Sequence, residues 1–539
     1  MSNRIELGIE FMRLFFAALT AMIVSAPAAA QDWWVAETNN FIIKSQDSEE
    51  NTRQFAVELE RFDMALRTLQ NMTIGEEQPT PATKLTVYRF GDTGDIGRMA
   101  GQSGVAGFYI PRAGDSVAYT PARAERRRSM SVTDTSRNRA RAARLDEVSV
   151  LQHEYVHYFM MQNFPAAYPA WYVEGYAELL ATVRFNDDGS FHVGDPPQYR
   201  AAQIFRMSQF QLEDMLDQEH DLAGREAYQF YGTGWLLAHY LNFNPERLAQ
   251  LNEYLIAIGQ GEHSLEAARR IFGDLRAIDR ELLSYRDGPF PGLDVNPADY
   301  VEPVAEMRPM TAIEQALISD EMRLRRGVGK DESKDLASRI RRDMASFPDD
   351  PHALTLLASA EYGAENFEAA EATARRLLEV DPNSVEANLI LSYVAIERIE
   401  DDPSWMAAAQ DFAGKALAAD MDDPRPRIAY YYSFVEADQD PPESAIIALE
   451  QAFDTAGSDA GYRILLSRQL LVENRLDSAR SVLLPISFRG FNPDSGQDEE
   501  DEDEPSLNKI MDFIAEGNRD AALTMMDELI DDEDDEDED

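Results

Sequence analysis

Two of the chain's seven histidines stand four positions apart in VSVLQHEYVHYF, residues 148–159, with a glutamate directly after the first. On a helix that spacing projects His153 and His157 from one face about a turn apart, where both imidazoles reach a single tetrahedral ion. Glu154 falls on the adjoining face, beside the coordination position left open. A carboxylate there polarises a metal-bound water and later passes its proton to a leaving amine. The sequence has no cysteine, which excludes thiolate ligands and disulfides, so a metal site must use His and carboxylate. A catalytic tetrahedral site needs one more protein ligand plus a water. His192, His220, His239, His263 and His352 have no ligand-like spacing and read as surface or hydrogen-bonded core residues.

Downstream, PAWYVEGYAELLATV supplies Glu174 and Glu178 on a second expected helix, with sixteen residues between His157 and Glu174. An HExxH followed by a W-x-x-EG-x-A-E helix resembles the gluzincin metallopeptidases, the thermolysin- and aminopeptidase-like group. The resemblance implies that His153, His157 and Glu174 bind zinc and that Glu154 is the general base. It also implies that Glu178 orients a ligating imidazole, a role with a clear physical warrant. Further on, EAYQFYGTGWLLAHYL resembles the Y-x-x-x-x-x-L helix of exported gluzincin-like proteins with attached repeats. It puts forward Tyr231, with Tyr228 nearly as good, as a hydroxyl that stabilises the oxyanion formed when water adds to a carbonyl.

These side chains need a scaffold. WWVAETNNFIIKSQ is β-rich, with Trp33 and Trp34 expected to anchor a first strand; EENTRQFAVELERFDMALRTLQNM has apolar residues at helical spacing; TKLTVYRF alternates as a strand. GVAGFYIPRAGDSVAYT, 104–120, reads as a hairpin around Pro111 to Asp115. In gluzincins such an edge strand pairs an extended peptide substrate, leaving side-chain pockets to set preference. Residues 121–145 carry eight arginines with no clear period and read as an exposed loop. From about 146 to 286 the pattern is helical, including the whole of WYVEGYAELLATVRF. A small mixed sheet with an edge hairpin followed by helices is an α+β arrangement, assigned to residues 31–295. The Pro/Gly-rich stretch GPFPGLDVNPADYVEP, 288–303, marks its end, with a linker at 296–306.

Beyond the linker the chain repeats. Pro348, Ala353 and Leu357 recur as Pro382, Ala387 and Leu391, an offset of 34 residues, which is the tetratricopeptide period. The resemblance to tetratricopeptide repeats covers roughly 307–487 and implies an all-α solenoid. Residues 307–490 are assigned to it, followed by an acidic linker at 491–506, a helical hairpin at 507–530 and an acidic tail at 531–539.

The N-terminus has Arg4 and Arg13, an apolar run from about Leu14 to Val24 and a small-residue ending at Ala30. This is the pattern of a signal peptide, 1–30, and the run is short of the ~20 residues of a membrane span. The expected location is periplasmic or secreted, with no membrane span after cleavage. Net charge is −48, of which the acidic runs 498–504 and 531–539 supply sixteen. The rest is spread through the chain, so nucleic acid and anionic membranes are poor partners. Pairing of the acidic tail with the arginine-rich loop is a further expectation. The leading expectation is an exported zinc metallopeptidase, an endopeptidase acting on proteins or peptides, with repeats that bind a protein partner. The rival is a non-catalytic periplasmic binding or assembly protein whose peptidase-like domain is a platform.

Overall fold

The computed structural model describes residues 33–73, 79–102, 105–123, 147–206, 211–217, 224–298, 300–487 and 505–536. The expected signal segment, His220, nearly all of the arginine-rich loop, most of the acidic linker and the end of the acidic tail lie outside the described residues.

The N-terminal part begins with β1 (Trp34–Glu37), β2 (Phe41–Ser45), α1 (Glu49–Leu69), β3 (Leu85–Phe90), α2 (Thr93–Ala100), β4 (Phe108–Ile110) and β5 (Val117–Pro121). Helices α3 (Glu147–Asn163) and α4 (Ala170–Leu180) follow, then β6 (Arg184–Phe185) and β7 (Phe191–Val193). Next come α5 (Ala201–Phe205), α6 (Leu212–Leu216), α7 (Arg225–Phe243), α8 (Pro245–Gly259), α9 (Ser264–Phe272) and α10 (Leu275–Arg286), then β8 (Leu293–Val295) and β9 (Glu306–Pro309). The main sheet is mixed, in the order β4-β5-β3-β2-β1-β9. Strands β2, β3 and β5 run parallel, while β4, β1 and β9 pair antiparallel with their neighbours.

Strand β2 alternates buried Phe41, Ile43 and Ser45 with half-buried Ile42 and Lys44, as a half-covered sheet requires. Helix α1 starts where the Ser48 side chain accepts from the Asn51 backbone N–H, and it buries Phe55, Leu59, Phe62 and Leu66. It also anchors α3: the Tyr155 hydroxyl donates to Asp63 at 2.7 Å, and Arg67 binds the same carboxylate at 2.8 Å.

Two sequence expectations change here. The helix expected across WYVEGYAELLATVRF stops at Leu180, and Arg184–Phe185 instead pairs with Phe191 and His192. The reason is the intervening NDDGS, where Asp188 Oδ1 accepts from both the backbone N–H and the hydroxyl of Ser190 and closes a turn. The expected linker at 296–306 does not separate two bodies, because Glu306–Pro309 is the edge strand beside β1. Its four residues, EMRP, are too short and polar to show a strand pattern in sequence.

The helical part comprises α11 (Ala312–Arg326), α12 (Lys330–Asp343), α13 (Pro351–Gly363), α14 (Phe367–Val380), α15 (Val385–Glu397), α16 (Met406–Ala419), α17 (Arg425–Val435), α18 (Glu443–Ala456), α19 (Ala460–Val472) and α20 (Leu476–Ser487). A last pair is α21 (Leu507–Ala515) and α22 (Arg519–Glu536). These form tetratricopeptide-like stacked helix pairs. Helices α13 and α15 begin 34 residues apart, and their caps repeat with them: Asp350 accepts from the Ala353 N–H, and Ser384 from the Ala387 N–H. Small buried residues, Ala370 and Ala374 on α14 and Ala409, Ala413 and Ala416 on α16, let neighbouring helices approach. Helix α22 continues through the first six residues of the expected acidic tail. No helix among the described residues is long and apolar enough to cross a membrane.

Candidate metal centre

Helix α3 buries Leu151, Tyr155, Val156, Phe159 and Met160 in the core and leaves His153, Glu154 and His157 on its less buried face. Helix α4 crosses it and is held in turn by α7. At that crossing a Cβ on Gly175 would lie 2.4 Å from the Gly234 carbonyl oxygen. The glycine after Glu174 is therefore a packing requirement that sets how far α4 sits from α7.

The crossing brings His153, His157 and Glu174 together. One ligand atom from each lies within 4.8 Å of the others. His153 Nε2 is 3.1 Å from His157 Nε2 and 3.1 Å from Glu174 Oε2. Two imidazole nitrogens bound to one tetrahedral zinc stand roughly 3.3 Å apart, given bond lengths of ~2.0–2.1 Å. The donor set fits such an ion in kind, number and spacing: among the described residues two imidazole nitrogens and a carboxylate converge, the three-ligand count of a catalytic zinc site.

The charges agree with that reading. Burial works against a protonated His153, but the hydrogen bond to Glu174 and the charges of Glu174, Glu178 and Glu154 outweigh it and raise the pKa to about 9. Burial likewise opposes ionisation of Glu174, yet His157 and the hydrogen bond from His153 bring it down to about 2. In this cluster a positive charge is what the carboxylates favour, and a cation serves that need as well as a proton does. Glu154 is pushed up to about 7, first by burial and then by Glu174 and Glu178, with His153 opposing.

Glu178 is fully buried and approaches the far side of His153, its Oε1 lying 3.7 Å from Nδ1. Its carboxylate is fixed by Arg200, whose Nε and Nη2 donate at 2.9 and 2.6 Å, and by the Tyr199 hydroxyl at 2.8 Å. Sequence reasoning missed both partners. They sit on the single turn Gln198–Arg200 that precedes α5, in a stretch with no motif; only the need of a buried carboxylate for a cation signals them.

Two cavities flank Glu154. One of about 340 Å³ is lined by Val105, Gly107, His153, Glu178, Arg200 and Tyr231. The other, about 250 Å³, lies on the side of His157 and Glu174. Tyr231 faces the first cavity with the Arg200 guanidinium 4.5 Å from its ring centre, whereas Tyr228 is half exposed and lines neither. Burial, then the charge of Glu174, raises the Tyr231 pKa, so its hydroxyl keeps its proton. The edge hairpin runs along the same cleft: a Cβ on Gly107 would lie 2.4 Å from Val150 of α3, and Tyr109 and Pro111 border the second cavity.

No protein-family model and no curated protein matches the chain. Among solved structures, a MamA RS-1 ArsTM double mutant aligns at 16% identity with a TM-score of 0.26, covering 33% of this chain and 93% of that one. YrrB, described as a TPR protein with an unusual peptide-binding site, aligns at 22% identity and a TM-score of 0.26, covering 36% of this chain and 92% of its own.

Three of the other histidines have ordinary partners. His239 lies in the core between Gly194 and Tyr285, His192 pairs with Asp294, and His352 reaches Glu321 at 3.3 Å.

Proposed function

We propose that the chain is an exported, zinc-dependent peptidase that cleaves protein or peptide substrates, with a repeat region that binds protein. The observation carrying this reading is the convergence of His153, His157 and Glu174 on one point, with Glu154 between two cavities beside it. Those three side chains would hold a zinc ion, which would supply Lewis acidity and lower the pKa of the attacking water. Glu154, with a pKa near neutrality, takes the proton of the attacking water on its carboxylate and returns it to the amide nitrogen that leaves. Tyr231 donates its hydroxyl hydrogen to the carbonyl oxygen as negative charge develops there. Arg200 and Tyr199 hold Glu178, and Glu178 holds the His153 ring. Strand β4 ends the main sheet, and an extended peptide pairs along it so that its carbonyl meets Glu154.

A second reading is favoured by the stacked helix pairs, which in other repeat proteins present binding surfaces: a binding or assembly protein in which the metal site is structural. One experiment separates the two. Zinc per chain is measured, and cleavage of a mixed peptide library is followed, for residues 31–539 and for the same chain with Glu154→Gln. Zinc in both and cleavage by the unsubstituted chain alone supports the peptidase; zinc in both and cleavage by neither supports the binding protein.

A further inference from the structure

The cavity of about 250 Å³ beside His157 and Glu174 is lined also by Pro485, a residue of α20 more than three hundred positions along the chain. Its other lining residues include Tyr109 and Pro111 from the edge hairpin and Met161, Tyr168 and Val173 from α3, the following loop and α4. We propose that this cavity is a side-chain pocket of the substrate cleft, that it takes one uncharged apolar or aromatic residue of the peptide, and that the repeat region, through Pro485, is one of its walls. The proposal rests on the peptidase reading for the identity of the cleft and goes beyond it in naming the substrate chemistry and the part of the chain that selects it.

Size and lining both limit the occupant. The volume lies below the ~300–1,000 Å³ of clefts that take whole small molecules, so it suits a single side chain. Among the lining residues the carboxylates are Glu154 and Glu174, and Glu174 and His157 belong to the candidate metal group. No lysine or arginine lines it to receive an acidic side chain. A substrate carboxylate there meets two carboxylates and an apolar wall, both unfavourable.

The hairpin wall is also positioned by the repeats. The Arg112 guanidinium donates to the carbonyl oxygens of Arg325 and Arg326 at 2.6 and 2.9 Å, at the C-terminal end of α11. The Ala113 N–H donates to Asp459, the cap of α19, at 2.8 Å, and Asp115 pairs with Arg325. A Cβ on Gly114 would lie 2.7 Å from Asp423, just before α17. The tip of the hairpin is thus gripped between three points of the helical part, which fixes Tyr109 and Pro111 in the lining they share with Pro485. Pro485 itself lies inside a helix, where proline removes a backbone hydrogen bond and crowds the preceding turn. Its replacement by alanine therefore leaves the helix intact and removes only the ring that faces the cavity.

The test uses the full chain carrying Glu154→Gln, so that peptides bind without being cut, and a series of capped pentapeptides Gly-Gly-X-Gly-Gly with X as Leu, Phe, Asp or Lys. A single non-glycine residue seats itself in whichever pocket favours it. Leu and Phe should bind roughly ten- to a hundredfold more tightly than Asp, the gain of burying one large apolar side chain, and more tightly than Lys. Adding Pro485→Ala should reduce that preference several-fold, and Pro485→Val, which restores an apolar wall, should recover most of it. Equal binding of the four peptides, or a preference unchanged in Pro485→Ala, overturns the proposal. Discrimination that depends on Pro485 in a chain whose unsubstituted form cuts none of the peptides would overturn the peptidase reading and leave the pocket standing.

Discussion

Replacing Glu154 by glutamine removes a proton acceptor and leaves the three ligand atoms in place, so metal content and cleavage should part company. Zinc should stay near one per chain while turnover falls by about 10²–10⁴, the usual contribution of a positioned general base. Glu174→Ala should instead lower zinc occupancy, because two imidazoles alone do not hold the ion. Glu178 offers a finer test of positioning. Glu178→Gln keeps the shape and a hydrogen-bonding oxygen for Arg200 but removes the charge behind His153. Zinc affinity, read by competition with a chelator, should weaken about 10- to 100-fold, and an unchanged affinity would make Glu178 a packing residue. What the sequence showed at this scale follows from range. His153, Glu154 and His157 lie within one helical turn, and Glu174 lies in a motif that names its own neighbours. Arg200 reaches Glu178 only because the small β6–β7 hairpin folds the chain back, and no local pattern encodes that return.

Helices were legible wherever their apolar spacing or repeated caps showed, as in α1 and in α13 and α15. Short strands were not: β6 and β9 hold two and four residues, fewer than an alternating pattern needs. Helix α7 was legible too, but one of its residues carries a consequence that periodicity hides. His239 is held neutral, Nε2 donating to the Gly194 carbonyl at 2.9 Å and Nδ1 accepting from the Tyr285 hydroxyl at 2.8 Å. Burial lowers its pKa from 6.5 to about 4, with hydrogen bonds to Gly194 and Pro291 opposing the shift. Between those values the unfolded chain binds a proton that the folded chain excludes, so stability falls as pH drops through that window and does so by about 2 kcal/mol between pH 7 and 5. In His239→Gln the urea midpoint should move less over that interval than in the unsubstituted chain. An equal dependence would assign the acid sensitivity to other groups.

At the scale of the whole molecule, the sheet and the repeats share a core, which is why the expected linker joins them and does not part them. Met310, Ile318 and Met322 are buried in one cluster with Trp33, Val35 and Tyr88, and the Tyr119 hydroxyl donates to the Met322 carbonyl at 2.7 Å. At the centre of this contact Glu321 of α11 pairs with Lys44 of β2, accepts from the Tyr88 hydroxyl at 2.7 Å and lies 3.3 Å from His352 of α13. Burial works against the Glu321 charge, but Lys44 and His352 hold its carboxyl well below the usual range. Its contribution to stability is therefore present above the ordinary glutamate pKa and is lost as pH falls below it. The side chains of Lys44 and Glu321 are only 14% and 3% exposed, so Glu321→Ala strands a buried ammonium and should cost about 3–5 kcal/mol. Because the lost pair bridges the two parts, the damage should show in cooperativity as well as in midpoint. If they unfold together, calorimetry of the unsubstituted chain gives one main transition at pH 7, and Glu321→Ala splits it into an earlier and a later one. A single transition merely shifted downward would mean that β9 and the hairpin grip suffice to couple the halves without this pair.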